Sequence, residues 1–190
     1  MADPFDVLGI PARFDLSDRD LHRAWLTKSR SLHADAAPPD IRSPVRAPRD
    51  LRGAPFAASV APTEEPDADT LRAAAEVNRA RAELADPVRR AEALLARLDP
   101  GAAPDKSLPD GFLMELLEAR EGLEEATTAK DHAGIRRWHD WASDRGAEYF
   151  ETTKRLFSEH PANPDALKEI RRTLNAWRSL ARMLEQMPDS

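Results

Sequence analysis

Acid–base chemistry needs neighbouring carboxyls held at different pKa values, and the densest carboxylates here are Glu115, Glu118, Glu121, Glu124 and Glu125. No nucleophile or metal-ligand set accompanies them, and charges at helical spacing are more commonly a solvated face. His132 and His139 stand two helical turns apart, which makes a poor metal-ligand pair. The chain has no cysteine. That excludes disulfides, thiolate nucleophiles and cysteine-ligated zinc or iron–sulfur sites. No catalytic residue, metal site or cofactor is expected, and the chain reads as a non-enzyme.

Two other groups have types and spacing suited to binding. Arg23 and Arg30 share one helix face, with Lys28 nearby, and the helix leads into His33, Ala34 and Asp35. Alone, such a basic stripe is an ordinary solvated side, and a histidine at a helix C-terminus is favoured by the dipole. The second group is Leu113, Met114 and Leu117 with Glu118, Arg120 and Glu121. Residues 113, 117, 120 and 121 fall on one face, while 112, 116 and 123 can turn toward a bundle. Burial is the ordinary fate of Leu and Met. If exposed, they form an adaptable apolar patch with a polar border, suited to a weak interface.

The elements that must position these residues are helical. The chain has 190 residues, 41% hydrophobic and 33% charged, with only seven glycines and almost no alternating apolar runs. That pattern predicts an all-α fold. A short helix is predicted around Pro4–Leu8, closed by Gly9. Ser17 with Asp20 resembles a capping box and opens a helix through Leu32, with Leu21, Trp25 and Leu32 facing a core. Residues 36 to about 68 hold seven of the sixteen prolines without sustained periodicity. This stretch is expected to be an extended or disordered insert. A helix restarts at Asp69 or Thr70 with Ala73, Val77, Ala80 and Leu84 inward, and ends at Asp86-Pro87. Another runs from Val88 to Leu98, with Ala91, Leu94, Leu95 and Leu98 inward.

Residues 99–110, rich in Pro, Gly and Asp, are predicted to be a linker between domains. Three helices follow, from about Gly111 to Ala129, from about Asp131 to Ser158, and from just after Pro164. The last carries Leu167, Ile170, Leu174, Trp177, Ala181 and Leu184 in a coiled-coil-like seam. Trp138, Trp141 and Trp177 are most simply core. Short connections predict an antiparallel three-helix bundle. The net charge of −6 argues against nucleic acid as a main partner. No apolar run approaches the roughly 18 residues of a membrane span, and the first residues lack the pattern of a signal peptide. No membrane partner is expected, and the expected compartment is cytoplasmic.

Three segments, in order, carry a family resemblance. DPFDVLGIPARFDLSDRDLHRAW through SLHAD resembles the start of an HscB-type J-domain. EVNRARAELADPVRRAEALLARL resembles that family's Asn-Gln-Ala, Asp-Pro and Arg-Ala-Glu-x-Leu-Leu pattern. FLMELLEAREGLEEA resembles the signature of its C-terminal domain. The resemblance implies a J-domain helical hairpin over 1–98, interrupted by the insert, and a scaffold-binding bundle over 111–187. It implies a co-chaperone that delivers an IscU-like iron–sulfur scaffold to a DnaK/HscA-type chaperone and stimulates its ATPase. Chaperone binding would fall to Arg23, Lys28, Arg30, His33 and Asp35. Scaffold binding would fall to Leu113, Met114, Leu117, Glu118, Arg120 and Glu121.

The chain departs from the family pattern in three places. Ala34 stands where a His-Pro-Asp loop has proline, so the helix can run on. The proline-rich insert is longer than the family's connection, and Ser179 stands where an aromatic is common. A degenerate J-like adaptor, binding partners without stimulating ATP hydrolysis, is the alternative these departures leave open.

Overall fold

The computed structural model describes residues 2–35, 68–101 and 103–186. Within them the order is α1 (Pro4–Leu8), α2 (Asp18–Asp35), α3 (Ala68–Ala85), α4 (Pro87–Leu98), α5 (Phe112–Thr128), α6 (His132–Glu159) and α7 (Pro164–Glu185), with no strand among the described residues. The all-α prediction holds. The proline-rich insert, apart from Ala68 at the start of α3, lies outside the described residues.

Local chemistry sets the helix ends. The Asp3 carboxylate accepts from the Phe5 amide at 2.9 Å, Pro4 fills a first-turn position, and Gly9 closes α1 in the left-handed region at φ 66°. The Ser17 hydroxyl accepts from the Asp20 amide at 3.1 Å and donates to the Asp20 carboxylate at 2.8 Å. Half of the predicted capping box is thus present, with the shorter Asp held by the Ser17 hydroxyl. Asp86 caps α4 through the Val88 and Arg89 amides, with Pro87 behind it, and Asn163 followed by Pro164 does the same for α7.

The second helix corrects the predicted end at Leu32. It continues through His33 and Ala34 to Asp35, because residue 34 carries an amide and lacks the ring that would turn the preceding residue away from helix. Leu98, expected inward, is 40% exposed. It is the last residue of α4, and it borders an open hollow of 420 Å³ whose floor includes Phe14, Leu94 and Phe157.

One hydrophobic cluster joins α1–α4 to the far part of the chain. Phe5, Leu8, Phe14, Leu21, Val77, Leu84, Ala91 and Leu94 pack in the same core as Leu156, Phe157, Leu167, Ile170 and Leu174. A second cluster of Phe112, Leu116, Ala119, Ala142, Ala176, Leu180 and Met183 holds the α5–α7 bundle together. The α7 helix enters both clusters, packing on α4, α5 and α6. The described residues between α4 and α5 are fastened down by α7. Arg171 meets Asp99 at 2.9 Å, Arg172 donates to the Leu108 carbonyl at 3.0 Å, and the Asn175 amide donates to the Asp105 and Ser107 carbonyls, each at 2.9 Å.

Candidate partner-binding faces

The first turns of α5 place large apolar groups in solvent. Leu113 is 56% exposed, Met114 70% and Leu117 46%, while Phe112, Leu116 and Ala119 between them are buried. The alternation follows from the helix period: 112, 116 and 119 point at α6 and α7, and their neighbours point out. Glu118, Arg120 and Glu121 are exposed beside the apolar group. Leaving three such side chains in water forgoes roughly 1.5–3 kcal/mol of burial for each. A continuous apolar group of that kind marks a contact surface more often than a scattered single residue does. The reading of these residues as core is thereby overturned.

The back of α5 fixes how this face is presented. Arg145 of α6 bonds Glu115 of α5 and also Glu148, at 2.8 Å. These two carboxylates raise the Arg145 guanidinium above its ordinary value, Glu148 first and Glu115 second, against opposing burial. The Trp138 indole rests on α5 at Gly122, and Phe112 meets Tyr149 edge-on at 6.1 Å. Burial is the main cause that raises the Tyr149 phenol above its usual value. Glu115 is thus drawn into a structural pair, while Glu118, Glu121, Glu124 and Glu125 stand exposed on an open helix side.

The second face is on α2. Arg23 and Arg30 are both exposed, and Arg19, one turn before Arg23, joins them on the same side. Arg19 was missed by the sequence reading, although its i,i+4 spacing from Arg23 was the available signal. Lys28 is not brought to this face. It sits on the side of Leu21, Trp25 and Leu32, half-buried, with its Cε 3.3 Å from where a Cβ on Gly9 would be. The backbones of His33, Ala34 and Asp35 form the final turn of α2.

The hairpin that carries this face is tied by side chains from residues the resemblance pointed to. The Trp25 indole donates to the Asn78 side-chain oxygen at 2.8 Å, the Arg81 guanidinium sits over its ring at 4.7 Å, and His22 stacks on it at 5.6 Å. The Arg-Ala-Glu-x-Leu-Leu match proves architectural. Arg90, only 4% exposed, donates to the carbonyls of Leu84 (2.7 Å), Phe14 (2.9 Å) and Leu16 (3.1 Å). Desolvation pulls its pKa down, opposed by Asp18, Asp15 and Asp86. Glu92 pairs with Arg178 of α7, while Ala91, Leu94 and Leu95 enter the core.

Other predicted positions are settled as packing. Trp138 and Trp141 meet edge-on at 6.0 Å and Trp177 meets Phe150 at 6.2 Å, all of them partly buried beside the cores. The Ser179 hydroxyl bonds back to the Asn175 carbonyl at 3.0 Å, and the side chain is half-buried. Among the described residues, no group of three or more His, Asp or Glu side chains is placed to hold a metal ion, and no helix is long and apolar enough to cross a membrane.

The described residues therefore form an all-helical fold with an exposed apolar group on α5 and an exposed basic side on α2. Residues 108–185 match the HSCB C-terminal oligomerisation domain. A co-chaperone protein HscB homolog of Haemophilus influenzae is 30% identical over 139 residues, covering 71% of this chain and 67% of the relative. A homolog of the same name from Burkholderia vietnamiensis is 29% identical over 131 residues, and the chain spans 61% of that relative's length. The crystal structure of the human co-chaperone protein HscB superposes with a TM-score of 0.68 at 19% identity, covering 98% of this chain and 80% of that one. The chaperone HscB from Vibrio cholerae gives 0.65 at 22% identity, covering 97% and 94%. The chain belongs to the HscB co-chaperone family.

Proposed function

We propose that this chain is a co-chaperone that delivers an IscU-like iron–sulfur scaffold protein to a DnaK/HscA-type chaperone and stimulates its ATPase. The observation that carries this reading is the exposure of Leu113, Met114 and Leu117 together on α5. An apolar group held in water on a rigid bundle gains free energy when a partner covers it. Leu113, Met114 and Leu117 are the scaffold's apolar anchor, and Glu118, Arg120 and Glu121 are its polar border. On the other side, Arg23 and Arg30, with His33 and Asp35 at the end of α2, meet the chaperone. Lys28 packs beside Gly9 on the core side of α2 and is left out of this surface. In this division residues 1–98 serve the chaperone, residues 111–187 serve the scaffold, and residues 99–110 link the two.

A second reading has its own support. Because α2 stays helical through Ala34 to Asp35, the tripeptide is held differently from a loop broken by proline. The chain would then be a J-like adaptor that binds its partners without stimulating ATP hydrolysis.

Single-turnover ATP hydrolysis by the organism's own DnaK-type chaperone separates the two. Stimulation that His33→Gln abolishes supports the co-chaperone. No stimulation by the natural chain, with recovery in Ala34→Pro, supports the adaptor. Failure to capture the IscU-like scaffold, together with no stimulation by either form, overturns both.

A further inference from the structure

We infer that Met114 is an oxidation-sensitive control point on the α5 face, an inference that rests on the scaffold-binding reading of that face. With no cysteine in the chain, its sulfur chemistry belongs to methionine alone. The two described methionines differ sharply. Met183 is 2% exposed within the α5–α7 core, whereas Met114 is 70% exposed between Leu113 and Leu117. Met1 and Met187 lie outside the described residues.

A thioether so placed is open to a peroxide. Its sulfur attacks one peroxide oxygen, the O–O bond breaks, and an S–O bond forms. The peroxide is reduced to water, and the sulfur is oxidised by two electrons to the sulfoxide. A flexible apolar side chain thereby becomes a polar one with a strong acceptor. On the free protein this costs nothing in packing, because the side chain stands in water. In the complex, the new oxygen would be pressed into the partner's apolar surface without a donor, which is costly. The same exposure that lets Met114 bind lets it be switched off, and the fold is left intact.

The test treats the full chain with hydrogen peroxide, maps oxidised methionines by peptide mass spectrometry, and measures affinity for the IscU-like scaffold before and after. Met114 should oxidise well ahead of Met183. Affinity should fall by roughly tenfold, the scale of one unpaired polar group in an apolar contact. The melting temperature should not move. Met114→Leu, which keeps the volume, should show the same affinity before and after the treatment, measured against its own untreated value, and Met114→Gln should bind weakly without it. Oxidation of Met183 at a similar rate would overturn the inference. So would binding that survives Met114 oxidation, or Met114→Leu losing affinity on treatment as the natural chain does. Absence of scaffold binding by the untreated chain would overturn the proposed function and this inference together.

Discussion

The Trp138 indole occupies the space where a side chain on Gly122 would begin: a Cβ built there falls 2.6 Å from both Cε2 and Nε1 of the ring. Glycine inside a helix costs about 1 kcal/mol relative to alanine, so its presence in α5 is offset by the close approach of α6. The ring is wedged between α5 and Trp141, and its Nε1 is buried without a hydrogen-bond partner among the described residues. Gly122→Ala is therefore expected to destabilise despite its better helix propensity, with overpacking of about 1–3 kcal/mol exceeding the propensity gain. Chemical denaturation followed by tryptophan fluorescence checks this. An unchanged or raised midpoint would mean that the ring moves aside freely.

Adjacent leucines on α5 should separate binding from stability. Leu116 is 7% exposed in the second core, whereas Leu117 is 46% exposed. Leu116→Ala should cost about 2–5 kcal/mol through lost burial and a residual cavity. Leu113→Ala with Leu117→Ala should leave the unfolding midpoint within the small range of surface changes and still abolish capture of the IscU-like scaffold. Stability and pull-down measured on the same preparations decide it.

Much of this arrangement was legible in the residues. The helix starts were written in side chains, since Asp3-Pro4, Asp86-Pro87 and Asn163-Pro164 are each a cap followed by a first-turn proline. The α5 face was legible only in part, because the period separates Leu116 from Leu117 but does not say which side meets water. Its choice depends on α6 and α7, which cover Phe112, Leu116 and Ala119.

What stayed hidden is tertiary. The α7 pattern predicted a narrow seam, yet Ala166, Thr173, Ala176, Leu180 and Met183 are buried as well. Periodicity reports the dominant apolar direction and not how many sides are covered, and α7 packs on α4, α5 and α6. Lys28 was grouped with Arg23 and Arg30 by charge, although its position places it with Leu21 and Leu32. A long aliphatic stem lets a lysine lie along the packed side of a helix. Arg90 gave no local sign, because its acceptors Phe14 and Leu16 belong to a distant loop.

That arginine supports a third prediction. Arg90→Met retains an apolar stem but leaves the Leu84, Phe14 and Leu16 carbonyls without their shared donor. The expected loss is about 3 kcal/mol. Arg90→Lys should recover little, since a single ammonium does not reproduce the planar fork that spans three carbonyls. Hydrogen exchange should rise first in residues 10–17, and an undisturbed segment there would mean that the loop is held by Phe14 packing alone.

The start of α2 gives the fourth prediction, a pH dependence. The Asp20 carboxyl is held below its ordinary value first by the Ser17 hydroxyl, against opposing desolvation, and then by the nearby charges of Arg23 and Arg13. A carboxyl whose pKa is lower folded than unfolded contributes stability that is fully present above the unfolded value, near 3.9. The contribution is lost as pH falls through the folded value. Asp20→Asn should thus be less stable than the natural chain at pH 7, and the difference should close below about pH 4. Because Arg13 and Arg23 take part through exposed contacts, added salt should narrow the gap without removing it, leaving the share due to Ser17. Thermal melts of both forms from pH 7 to pH 3 at low and high salt check the sign. A difference that widens on acidification would mean that the Asp20 carboxyl is not the group that stabilises this helix start.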